Sequence, residues 1–337
     1  MNAPVPALLE LRSVSKRFET PADIAGQIAR MLGGKVAESA VHAVDGVDLA
    51  IREREVVGLV GESGCGKSTL GRIVTRIVAP TTGERYWKGR PYSEFDSDAM
   101  RGERLAVQMI FQDPYASLNP RMRVVDIVGE APVVHGLVVR GERNAYVAEM
   151  LNRVGLDASL MDRFPHQFSG GQRTRIGIAR ALAVQPRFLV CDEAVAALDV
   201  SIQAQVLNLF VRLREELALT YLFISHDLGV IGHLSDRVVV MYLGRIVESG
   251  PTAELYAQPN HPYTQALVSE VPRVDGRRRH YVPIRGEIPS PLAPPTGCHF
   301  HPRCPNAFAR CRSEAPRLRE VAPGRISACH LNDSRTP

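Results

Sequence analysis

Gly61-Glu62-Ser63-Gly64-Cys65-Gly66-Lys67-Ser68-Thr69 is the stretch on which the reading of this chain turns. Its glycines let the backbone curl into a nest of N–H donors for a nucleotide's phosphates. Lys67 reaches the β and γ oxygens, and the Ser68 hydroxyl is placed for Mg²⁺. Such a loop needs a strand before it and a helix after it. Glu55 to Val60 is a short apolar run ending at the loop, and Thr69 to Val74 opens a segment with helical spacing. That helix start adds the positive end of its dipole beneath the phosphates.

Composition bounds what surrounds the loop. The chain has 337 residues, 45% of them hydrophobic and 23% charged, so it buries a sizeable core in one large or two unequal domains. No stretch approaches the roughly 18 apolar residues of a membrane span, and Met1 to Pro6 is not a basic lead into an apolar core. A cytoplasmic chain is expected, with any membrane contact made through a partner. The net charge of +5 carries one basic cluster, Arg277-Arg278-Arg279, which reads as a solvated linker, and no nucleic-acid partner is expected.

Along the chain, Leu9 to Arg17 reads as an opening strand and Val41 to Ile51 as its partner, with about Glu19 to Ala40 a surface excursion between them. Helical spacing marks an inserted subdomain from about Arg123 to Met161. Apolar runs then precede Asp192-Glu193 and Ser225-His226-Asp227, and from about Asn260 the texture turns to Pro, Arg and Cys. This alternation is what a parallel sheet flanked by helices produces.

An acidic pair closing a buried strand is ordinarily a strand end reaching solvent. Beside a phosphate loop it has work to do: Asp192 can hold the Mg²⁺ shell, and Glu193 can polarise the water that attacks the γ-phosphate. Phe168-Ser169-Gly170-Gly171-Gln172 opens a further helix, with Ser169 a good N-cap. Alone it is a capped turn; its position between the phosphate loop and the acidic pair makes it informative.

In that order and approximate spacing the chain resembles the ATP-binding cassette family over essentially residues 8 to 255. The resemblance implies an α/β fold: a P-loop ATPase core of mixed sheet and flanking helices, an inserted helical subdomain, and a small Cys/Pro-rich C-terminal module. It implies a nucleotide-binding domain over 1–258, with the helical subdomain at about 115–180, and an extension over 259–337. Gln112 resembles the Q-loop glutamine that touches Mg²⁺ and the attacking water. Ser169, Gly170, Gly171 and Gln172 resemble the signature, with Phe168 replacing the commoner Leu. Asp192 and Glu193 match the Walker B aspartate and catalytic glutamate, Ala197-Leu198-Asp199 the D-loop, and His226 the switch histidine that contacts the γ-phosphate. Phe18 is the candidate for stacking on adenine, with His42 its competitor. Two positions depart from the family pattern: Ala194 replaces the usual Pro and Ala196 the usual Ser. Neither removes a charge or a metal ligand, so hydrolysis is expected to survive, while the missing hydroxyl at Ala196 weakens communication between paired cassettes.

Longer strings narrow the resemblance. Phe111 to Arg121, Ala197 to Gln205, His261 to Leu267 and Pro294 to Cys298 look like the ATPase subunits of bacterial dipeptide and oligopeptide importers, a group that includes nickel and glutathione importers, and more like its F-type subunit. The implied partners are a second ATPase subunit in a heterodimer, two transmembrane permease subunits and an extracytoplasmic solute-binding protein, with this chain peripheral at the cytoplasmic face of the inner membrane. Cys298, Cys304, Cys311 and Cys329 have five, six and seventeen residues between them, without the CxxC pairs of common zinc sites. Clustered thiols in a reducing compartment favour metal over disulfides, and the resemblance implies a 4Fe-4S cluster, with zinc and plain reduced thiols as alternatives. The rival function is a soluble cassette ATPase of DNA repair or translation. An exporter cassette fits the core motifs but not the tail, and a non-catalytic binding module is opposed by Glu193 and His226.

Overall fold

The computed structural model describes residues 7–19, 40–271, 284 and 286–333. The excursion expected between Glu19 and Ala40 and the Arg277-Arg278-Arg279 cluster lie outside the described residues. These residues gather into two compact units. One is built mainly from Ile51–Leu59 and Arg90–Asp236, the other from the described residues within Leu9–Ala50, Val60–Gly89 and Arg237–Pro337.

The first unit is organised on parallel strands. Val107–Ile110 pairs with Phe188–Asp192, and Phe188–Asp192 with Thr220–Ser225, both in parallel register. Phe188–Asp192 and Thr220–Ser225 are buried at every position. That is why they read as continuous apolar runs rather than alternating ones: a parallel strand is covered on both faces. The helix Val200–Leu217 lies against this core through Val206, Leu209, Phe210 and Leu213. Its Phe210 ring meets Tyr221 at 5.8 Å and Phe223 at 5.4 Å, both edge-on. Tyr221 and Phe223 are two apart on one strand and so share a face. The Tyr221 hydroxyl donates to the Phe210 carbonyl at 3.2 Å.

The helical part of this unit comprises Val124–Val134, Arg143–Arg153 and Gly170–Leu182, with a 3₁₀ turn at Ala158–Asp162. Val147, Leu151 and Val154 are fully buried at a spacing of one helical face. Among the described residues no helix is long and apolar enough to cross a membrane.

The second unit is antiparallel. Most of the opening strand, Ala7–Glu19, pairs with Thr82–Trp87, Leu9 opposite Trp87, and has Ala40–Arg52 on its other side. Arg237–Tyr242 and Arg245–Pro251 form a hairpin across Leu243-Gly244, both of which have positive φ, at 41° and 80°. That is the two-residue turn whose twist suits a hairpin, and glycine at its second position meets it at no steric cost. Arg325–Ser327 then pairs with Arg245–Pro251, and Arg319–Ala322 with Arg325–Ser327. The change of composition near residue 260 therefore falls inside this unit, whose sheet is extended by the C-terminal segment. Pro262–Ser269 is capped by His261, whose Nδ1 accepts from the Tyr263 N–H at 3.1 Å. Burial pushes the His261 imidazole down to about 4, which keeps it neutral and able to accept that bond.

Candidate functional site

The phosphate loop follows the buried strand Val56–Val60 and leads into the helix Lys67–Val74 of the second unit, which starts two residues earlier than the sequence spacing predicts. Gly66 sits at the N-cap with φ 105°, and a Cβ there would come within 2.0 Å of the Ala43 carbonyl oxygen. Only glycine fits. No side chain caps this helix, so its first N–H groups stay available for an anion. Lys67 is 4% exposed, and its Nζ donates to the carbonyls of Gly61 at 2.7 Å and Glu62 at 3.0 Å. Within the loop, the ammonium is folded onto its own backbone. Burial raises the Cys65 thiol above its usual range despite the nearby Lys67 charge, so Cys65 is a packing residue rather than a nucleophile.

The first unit holds Gln112, Asp192, Glu193 and His226. Asp192 is the buried last residue of its strand, 3% exposed and level with Ile224 of the neighbouring strand. Glu193 begins the turn that follows. One carboxylate oxygen accepts from Gln112 Nε2 at 2.8 Å, and the other faces His226 Nδ1 at 3.3 Å. Two residues far from it in sequence, Gln112 and His226, thus converge on one carboxylate. Glu193 has φ 47°, a left-handed conformation that costs a non-glycine residue about 1 kcal/mol or more. The chain holds this strain at the residue singled out from its sequence, through the Glu193 N–H bond to the Ile224 carbonyl at 3.0 Å.

The helix Gly170–Leu182 is closed by a reciprocal cap. Gln172 N donates to Ser169 Oγ at 3.3 Å, and Ser169 N donates to Gln172 Oε1 at 3.0 Å. Two arginines on this helix make contacts that the sequence does not announce. Arg173 stacks 3.7 Å over the Tyr115 ring and donates from Nε to the Pro165 carbonyl at 2.7 Å. Arg180 donates to the Ser117 carbonyl at 2.5 Å and is buried enough that its pKa falls. The segment after Gln112 and the turn before Ser169 are both tied to one helix. Tyr115 nonetheless leaves 64% of its surface exposed, and Phe111 39%.

Phe18 is 42% exposed, with Lys16 Nζ 5.1 Å from its ring centre. Asp199 is the N-cap residue of Val200–Leu217 and makes no side-chain cap bond. The four tail cysteines are free and line one small cavity of about 10 Å³ with His261, His301 and His330. Burial pushes the Cys329 thiol up to about 11, the other three cysteines adding to the effect, and raises Cys298 and Cys304 too. Among the described residues, no three of His, Cys, Asp and Glu stand as a ready-made metal site. The thiols converge without forming a ligand cage.

Comparison with known proteins gives the family. Residues 44–196 match the ABC transporter family model, and residues 247–311 match that of the oligopeptide/dipeptide transporter C-terminal region. The chain is 50% identical to the oligopeptide transport ATP-binding protein AppF of Bacillus subtilis, over 96% of this chain and 97% of that one. It is 49% identical to the dipeptide transport ATP-binding protein DppF of Haemophilus influenzae, over 86% and 89% of the two chains. Among solved structures it resembles cbiO1 of Clostridium perfringens, part of an ABC transporter complex, with TM-score 0.61 and 26% identity over 75% of this chain and 92% of that one. A dimeric ATP-binding cassette bound to ADP and Pi matches with TM-score 0.61 and 28% identity, over 72% and 98%. The chain belongs to the ATP-binding cassette ATPases of ABC transporters, in the group that carries the oligopeptide/dipeptide C-terminal region, and has the expected α/β cassette fold. ATP and Mg²⁺ are the substrate and metal of that ATPase chemistry.

Proposed function

We propose that this chain hydrolyses ATP to energise uptake of dipeptides or oligopeptides through partner membrane subunits. The observation that carries this reading is the 50% identity, spread over 96% of the chain, to a protein described as an oligopeptide transport ATP-binding protein. The second family match, at residues 247–311, supports it.

In this reading residues 1–258 act as the nucleotide-binding domain, with a helical subdomain at about 115–180, and 259–337 as the extension. Lys67 and the loop N–H groups from Gly61 to Thr69 bind the phosphates, and Phe18 stacks on adenine. Ser68, Gln112 and Asp192 would hold Mg²⁺, which when bound neutralises phosphate charge. Asp192 fits that task as a buried carboxylate and Ser68 as a hydroxyl at an uncapped helix start. Glu193 takes a proton from the attacking water, held in place by Gln112, while His226 contacts the γ-phosphate. Ser169, Gly170, Gly171 and Gln172 close over the nucleotide of a second cassette, with Asp199 at the same seam. That second cassette is a sister subunit in a heterodimer, with two permease subunits and an extracytoplasmic solute-binding protein completing the importer. The chain then works peripherally at the cytoplasmic face of the inner membrane. Tyr115, Arg163 and His166 lie on the surface that meets the permeases.

Cells carrying a Lys67→Ala chain test this reading. Loss of labelled oligopeptide uptake, with nickel and glutathione uptake intact, is the expected result. Intact peptide uptake would remove the peptide assignment.

We also propose that Cys298, Cys304, Cys311 and Cys329 hold a 4Fe-4S cluster; the four thiols line one cavity, which at about 10 Å³ would have to open to take it. The thiols would have to spread and deprotonate to do so. Anaerobically purified protein that is brown and contains iron is expected; colourless, iron-free protein would end the idea.

A further inference from the structure

Glu62 is an awkward residue for its place. It lies inside the loop proposed to cradle a triphosphate, and its carboxylate adds negative charge where anions must bind. The second unit supplies an answer from the far end of the chain. Arg303 grips that carboxylate with both arms of its guanidinium, Nη1 to Oε2 at 2.6 Å and Nη2 to Oε1 at 3.0 Å. The pair is sheltered, the Arg303 side chain being 6% exposed and that of Glu62 23%. Among the described residues Arg303 pairs with no other carboxylate and its buried Nε has no hydrogen-bond partner, while Nη1 also reaches the Tyr242 hydroxyl at 3.4 Å. A second bond from the same C-terminal region fixes the backbone of Glu62, whose N–H donates to the Tyr263 hydroxyl at 2.8 Å. The Tyr263 ring is itself clamped by Tyr242 at 4.7 Å and Phe300 at 5.4 Å.

We infer that Arg303 and Tyr263 are positioning residues of the phosphate loop: Arg303 neutralises and orients the Glu62 side chain so that the loop accepts a triphosphate, and Tyr263 anchors the loop backbone at the same residue. The C-terminal extension is thereby a working part of the nucleotide site. The physical reason is the asymmetry of sheltered ion pairs, in which removing one partner leaves an uncompensated charge. Here the stranded charge is negative, and it sits in a loop whose N–H groups are aimed at an anion. A bidentate guanidinium also fixes the carboxylate's direction, which an ammonium does not do. The inference rests on the reading of residues 61–69 as an ATP site.

The test uses the full chain with its co-isolated partners and reads ATP affinity, KM and kcat, with the unfolding midpoint as a check on folding. Arg303→Ala is expected to weaken ATP binding about tenfold and to raise KM far more than it lowers kcat. Adding Glu62→Gln to Arg303→Ala removes the stranded charge and is expected to return most of the lost affinity, which a merely structural role for Arg303 would not do. Tyr263→Phe keeps the ring packing and deletes only the acceptor, and is expected to weaken ATP binding by about threefold or more. It decides the matter if Arg303→Ala fails to fold. Folded Arg303→Ala or Tyr263→Phe protein with parental ATP affinity would overturn the inference, as would a double variant no better than Arg303→Ala. Failure of the parent itself to bind ATP would instead sink the reading of the loop.

Discussion

Gln112 donates from Nε2 to the Glu193 carboxylate at 2.8 Å, across 81 residues of sequence. With His226 Nδ1 3.3 Å from the other oxygen, the carboxylate is held between two side chains that follow separate strands. A general base needs that fixed direction before its pKa matters. Glu193→Gln preserves the shape and can still accept from Gln112, but cannot take a proton. Phosphate release is expected to fall by about a hundredfold or more while ATP binding is retained, so that nucleotide is trapped and the paired cassettes stay together. Normal hydrolysis by this variant would remove Glu193 from the role.

Ser169 has two tasks that one substitution separates. As the N-cap of Gly170–Leu182 it accepts from Gln172 N, and Ser169→Ala should cost about 1 kcal/mol of stability. As part of the signature it should also matter to hydrolysis, well beyond what so small a loss of stability explains. Denaturant midpoints and phosphate release on the same preparation check both. Hydrolysis at the parental rate in the destabilised variant would leave Ser169 a cap and nothing more.

Phe210 tests the packing of the parallel core. Its ring is fully buried and meets Tyr221 and Phe223 edge-on, so Phe210→Ala removes both contacts and leaves a cavity. A loss of about 3–5 kcal/mol in urea unfolding is expected. A loss below about 1 kcal/mol would mean that the helix Val200–Leu217 does not rest on that face.

What the sequence made legible was local. The phosphate loop, the acidic pair and the Ser169 cap each rest on residues within nine positions of one another, where backbone geometry dictates residue type. Continuous apolar runs such as Phe188 to Cys191 gave the parallel strands for the same reason. The contacts that stayed hidden join distant segments through ordinary residues. Tyr263 lies 201 positions from Glu62, and Arg303 lies 241 from it. Neither has a spacing rule that announces its partner. Arg180 holds the segment after Gln112 through the Ser117 carbonyl, and Arg173 holds the turn before Ser169 through the Pro165 carbonyl, and backbone carbonyls carry no sequence signal. The only hint was the Glu62 charge itself, out of place in an anion-binding loop.

Magnesium-dependent ATP hydrolysis by the full chain, isolated with its membrane partners and compared with Lys67→Ala prepared the same way, bears on all of this at once. The parent should release phosphate only when Mg²⁺ is present, and Lys67→Ala should release almost none. A parent that neither binds nor cleaves ATP, or a Lys67→Ala chain that matches it, would contradict the assignment.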